Sequence, residues 1–200
     1  RVSVWSMFHS FIGVAPWFLF FVAIEHLGEL QLAVANILRS ISTLFFVIVN
    51  SFAATTGSLV SNLIGANERG QVFPLCSRVI RLGYAIGLPL IAFALVFHQP
   101  VVSIYTDNPA IVQTAWLPFV VMLLNYVFAL PSYVYMNAVT GTGATRTAFI
   151  FQATTIAAYL LYLCGLSHWD VPLAVYWTVE YLFVIGLGVQ SVIYLKYKRY

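Results

Sequence analysis

Long stretches of Val, Leu, Ile, Phe and Ala fill this chain, and polar residues gather in the short intervals between them. The stretches cover about residues 4–24, 32–64, 75–97, 111–139, 148–166 and 171–195. A hydrocarbon core of about 30 Å needs about 20 helical residues, so each stretch predicts a transmembrane helix. The second and fourth are longer than a perpendicular crossing requires, and tilt, kinks or an extension past the headgroups must take up the excess. Barrel strands are shorter and alternate in polarity, which these stretches do not. The intervals read as helix ends. Gly28, Gly65-Ala66-Asn67, Gly70, Asp107-Asn108-Pro109 and Gly141-Thr142-Gly143 punctuate them, and Asp170 is placed to cap a last helix with Pro172 in its first turn. The expected fold is an all-α integral membrane protein, a single bundle of six transmembrane helices over residues 1–200.

Composition agrees. The 200 residues are 62% hydrophobic and 8% charged, with a mean hydropathy of +0.92. A soluble domain is about a quarter charged, so lipid must be most of this chain's solvent. The net charge of +3 does not indicate nucleic-acid binding, because the cations are scattered over short loops. Arg1, Arg69, Arg78, Arg81, Arg146, Lys196, Lys198 and Arg199 fall on every second boundary between stretches, whereas Glu25, Glu29, Asp107 and Asp170 fall on the others. By the positive-inside rule the cationic boundaries are cytoplasmic, which puts both ends of the chain inside. Trp17, Trp116 and Trp169 are candidates for interfacial belts. Cys76 and Cys164, near opposite ends of different stretches, read as small buried apolar residues rather than a disulfide. Without an initiator Met or a signal pattern at Arg1, the chain reads as a piece of something longer.

Two charges fit neither kind of boundary. Arg39 lies roughly 10 Å of helix beyond Leu32, and Glu180 roughly 13 Å beyond Val171, so both sit at similar depth in the outer half. A charge at the bilayer centre costs about 2.5–3.5 kcal/mol on insertion scales, so such residues usually face protein or a wet cavity. Either Arg39 snorkels and Glu180 is protonated or hydrogen-bonded in packing, or the two pair, or Glu180 faces a central cavity and binds protons or cations. The second stretch also carries a stripe, Asn36, Arg39, Ser40, Thr43, Asn50, Ala54, Gly57 and Ser61, at helical spacing. Small and polar residues on one helix face serve close packing or line a cavity; Asn36, Arg39 and Asn50 are larger than packing requires. Pro16, Pro89, Pro118 and Pro131 interrupt spans and are expected to kink them. Asn125, Ser132, Tyr133 and Asn137 surround the last two prolines, as in a helix bent for packing or broken along a transport pathway. No enzyme signature appears: there is no His pair at metal spacing, no Gly-x-Ser-x-Gly, no phosphate loop and no carboxylate cluster.

Two loop motifs carry a resemblance. Val60-Ser61-Asn62-Leu63-Ile64-Gly65-Ala66-Asn67 resembles the "V-G-Q-x-L-G-A-G" ending that recurs in the multidrug and toxic compound extrusion (MATE) family, and Gly141-Thr142-Gly143-Ala144-Thr145-Arg146 resembles that family's "G-x-G-D-T-R". With six spans and Pro16 in the first, essentially the whole chain is similar to the C-terminal half of such a transporter. The resemblance implies one lobe of a twelve-helix secondary transporter, with an N-terminal six-helix bundle as its partner in the same polypeptide. It further implies cation-coupled antiport, exporting small lipophilic or cationic molecules across a cytoplasmic (inner) membrane by alternating access. No cofactor is expected beyond a coupling H+ or Na+. Sodium-coupled members carry an acid in each of two helices, at positions matching about Gly13 and Ala129; neither is acidic here, and Ala144 replaces the loop Asp. Proton-coupled members place their essential Asp in the other bundle. The pathway candidates are therefore Asn36, Arg39, Asn50, Asn125, Tyr133 and Glu180, with aromatic rings available to cationic substrates. A flippase for a lipid-linked substrate and a non-transporting scaffold are the alternatives.

Overall fold

The computed structural model describes residues 16–169 and 171–197. The first part of the expected first span, the Asp170 cap, and Arg1, Lys198 and Arg199 lie outside them. Among the described residues every regular element is helical: α1 (Pro16–Leu27), α2 (Glu29–Gly65), α3 (Val72–Val96), α4 (His98–Ser103), α5 (Pro109–Thr114), α6 (Trp116–Gly141), α7 (Thr145–Ser167), α8 (Leu173–Tyr176) and α9 (Thr178–Tyr197). Five spans are long and apolar enough to cross a membrane: α2, α3 with the turn before it, α6, α7, and α8 with α9. With the shorter α1 they make an all-α membrane bundle of six helices. At 37 residues, α2 is about 55 Å long and must tilt or project past a core of about 30 Å.

Proline chemistry explains where helices stop. A proline cannot donate to the carbonyl four residues back, and its ring crowds that carbonyl. Helix α3 ends at Val96, four residues before Pro100, and α5 ends at Thr114, four residues before Pro118. The expected kink at Pro118 therefore takes another form: Pro118 sits in the first turn of α6, and the break lies upstream at Ala115. Pro89 and Pro131, in contrast, lie inside helices that continue through them. Pro16 is the first described residue of α1. Asn108 caps α5 through a 3.0 Å bond from the Ala110 amide, with Pro109 at the first helical position. Gly143 takes φ +84° in the turn after α6, where a side chain would be strained.

Helix α6 is the hub, packing against α2, α3 and α9. Phe119, Leu123, Leu130, Val134 and Ala138 are all buried there. Lipid supplies no hydrophobic drive between helices, so small residues and polar bonds must hold them. At the C-terminal ends of α2 and α6, a Cβ on Gly141 would lie 2.5 Å from the Gly57 carbonyl oxygen, and the Ser61 hydroxyl bridges the Gly57 and Gly141 carbonyls at 3.0 Å each. Tyrosines knit the remaining faces. Tyr126 of α6 donates to the Gly83 carbonyl of α3 at 3.0 Å, Tyr84 of α3 donates to Val127 of α6, and Tyr181 of α9 donates to Val121 at 2.6 Å. Gln190 of α9 bonds Thr154 and Thr155 of α7 at 3.0 and 3.1 Å. Both cysteines are free, and Cys76 is buried as expected. Cys164 is exposed on the surface of α7, correcting the expectation of burial; in a bilayer an apolar thiol meets lipid there without penalty.

Candidate functional site

The two ends of the α2 stripe do different things. Gly57 and Ser61 are consumed in the contact with α6. Nearer the start of the helix, Arg39, Thr43 and Asn50, with Ser42, form one wall of a cleft of about 370 Å3. Pro16 and Trp17 of α1, Tyr133 of α6, Gln152, Ile156 and Tyr159 of α7, and Glu180 and Phe183 of α9 complete it. The break at Trp177 starts α9 anew, and Glu180 falls in its first turn, facing the cleft.

Arg39 is held by aromatic rings. Its guanidinium carbon lies 5.4 Å from the ring centroids of both Trp17 and Phe21. Cation–π contact of this kind is worth about 0.5–2 kcal/mol, more as water is removed. Trp17 is itself set edge-on against Trp177 at 6.0 Å, so one of the two rings under the cation is anchored just before α9. Among the described residues no salt bridge joins Arg39 to Glu180. Glu180 is only 9% exposed, and it lines the cleft together with Tyr133 and Tyr159. The Tyr159 hydroxyl interacts with the Glu180 carboxyl and is buried with no other polar partner among the described residues.

Of the residues singled out by polarity, Arg39, Asn50, Tyr133 and Glu180 meet at this cleft. Asn36 does not line it; its amide bonds the Leu32 carbonyl of its own helix at 3.0 Å. Asn125 is buried in α6 away from the lining, and its Oδ1 has no hydrogen-bond partner among the described residues. Sequence reasoning passed over Gln152 and Tyr159. Their spacing with Ile156, four residues and then three, places all three on one face of α7, and that was the available signal. Among the described residues no group of His, Cys, Asp and Glu is placed to hold a metal ion.

A multi-pass helical membrane bundle with a polar cleft among its helices is the class this architecture defines. The MatE family model matches residues 6–163, and the chain belongs to that family. It is also similar to the multidrug resistance protein MdtK of Cronobacter sakazakii (strain ATCC BAA-894), at 26% identity over 189 residues. That alignment covers 88% of this chain and 39% of the relative, so the chain spans about two fifths of the relative's length. No solved structure matches the chain.

Proposed function

We propose that this chain is one half of a cation-coupled antiporter that exports small organic compounds across a cytoplasmic membrane by alternating access. The observation that carries the reading is an acid and a base lining one cleft inside a lipid-embedded bundle, with no salt bridge between them among the described residues. An intramembrane charge is costly, and a packing role alone gives no return for two. A second six-helix bundle completes the pathway, and both ends of this chain face the cytoplasm. Glu180 carries the coupling H+ or Na+. Asn50, Tyr133 and Gln152 offer polar contacts to the cargo, and Trp17, Phe46 and Phe183 offer rings. A flippase for a lipid-linked substrate calls for a wide cationic cleft, whereas this one sets a single Arg against a single Glu.

Efflux of a fluorescent organic cation from cells tests the reading, with the chain expressed together with its native flanking sequence. Glu180→Gln is expected to abolish ion-driven efflux while the protein still reaches the membrane. Unchanged efflux would remove Glu180 from coupling.

A further inference from the structure

The transport reading leaves the chemistry of the cargo open, and the cleft narrows it. Arg39 and Glu180 face the same cavity from different helices, α2 and α9, yet neither neutralises the other. The flat side of the guanidinium is taken by Trp17 and Phe21, which leaves its N–H edge for a planar anion. Glu180 is nine-tenths buried, and beside it the Tyr159 hydroxyl, 1% exposed, has no polar partner other than Glu180 among the described residues. An ammonium there would donate both to the carboxylate and to the tyrosine oxygen. Aromatic walls from Phe46 and Phe183 line the same cleft.

Resting on that reading, we propose that the cleft binds a small zwitterion with an apolar body, its anionic end on the Arg39 edge and its ammonium on Glu180 and Tyr159. A simple cation satisfies Glu180 and leaves Arg39 unanswered; a simple anion does the reverse. A ligand with both charges neutralises both walls at once, and about 370 Å3 suits a molecule of one ring with two charged arms.

The test uses three probes of one shape: para-(aminomethyl)benzoate as zwitterion, para-methylbenzylamine as cation and para-methylbenzoate as anion. Their binding to the protein purified in detergent, with the native flanking sequence present, is measured by titration calorimetry. The zwitterion is expected to bind at least about tenfold tighter than either relative, as about 1.4 kcal/mol from the second charge contact would give. Arg39→Gln should level the zwitterion with the amine, Glu180→Gln should level it with the benzoate, and Arg39→Lys should keep part of the preference. Circular dichroism and gel filtration confirm that each variant is folded. An amine that binds as tightly as the zwitterion, a preference that survives Arg39→Gln, or no binding by any probe overturns the proposal. If the amine alone binds and efflux still depends on Glu180, the transport reading stands and the zwitterion inference falls.

Discussion

The Tyr84 hydroxyl of α3 donates to the Val127 carbonyl of α6, the oxygen that Pro131 cannot bond. A helical carbonyl takes its proton from the amide four residues on, and residue 131 has none. In lipid an unsatisfied carbonyl is costly, so a neighbouring helix must answer it. The bond is reciprocated, because Tyr126, one residue before Val127, donates back to Gly83, one residue before Tyr84. Each tyrosine thus reaches the other's helix, and a Cβ on Gly87 would collide with the Tyr126 ring.

Tyr84→Phe keeps the ring and removes the donor. Membrane hydrogen bonds average about 0.6 kcal/mol and reach about 1.7 kcal/mol. The absent alternative donor at residue 131 places this loss toward the upper figure. Thermal unfolding in detergent micelles should show a lower midpoint, and an unchanged midpoint would mean that water already serves Val127.

Pro131→Ala restores an amide to Val127, so the two changes should not add. In a double-mutant cycle, Tyr84→Phe should cost clearly less in the Pro131→Ala background than in the parent. Equal costs in both backgrounds would show that the tyrosine works by packing and not by replacing the missing amide.

Gly141→Ala should destabilise by about 1–3 kcal/mol, the usual penalty for overpacking. The added methyl would press on the Gly57 carbonyl, which is backbone and cannot swing aside. Gly165→Ala is the control: its Cβ would meet nothing within 4 Å, and helix propensity favours Ala by up to about 1 kcal/mol. Chemical unfolding in mixed micelles compares the pair, and equal behaviour would mean that the C-terminal ends of α2 and α6 are not in close contact.

Exchanging the two intramembrane charges, Arg39→Glu with Glu180→Arg, should not restore efflux lost in either single variant. A Glu at position 39 would face the Trp17 and Phe21 rings, whose negative faces repel it. Full rescue in the efflux assay would show a direct pair in the working transporter.

Fold class was legible because length and polarity act along the chain. An apolar run of twenty residues has few alternatives in lipid, and the loops flanking it carry their own punctuation. The break at Ala115 was also written locally, in Pro118, but its place follows from a clash four residues back and not from the proline itself. No proline follows the break at Trp177: Thr178 turns its hydroxyl back to the Val175 carbonyl at 2.6 Å, and nothing in an apolar run announces that. The cleft divided along similar lines. Arg39, Asn50, Tyr133 and Glu180 stood out by being polar where lipid was expected. Tyr159 and Gln152 did not, since one Tyr or Gln in an apolar helix is ordinary until tertiary packing decides which way its face turns. Asn36 stood out equally and was answered by its own helix.

The contact of Gly57, Ser61 and Gly141 lies toward the C-terminal end of α2, whereas Arg39, Thr43 and Asn50 lie nearer its start. One helix therefore carries two separable inheritances. Substitutions at its cleft-facing side chains, Arg39, Thr43 and Asn50, leave the contact of Gly57, Ser61 and Gly141 untouched, and substitutions in its last turns do not.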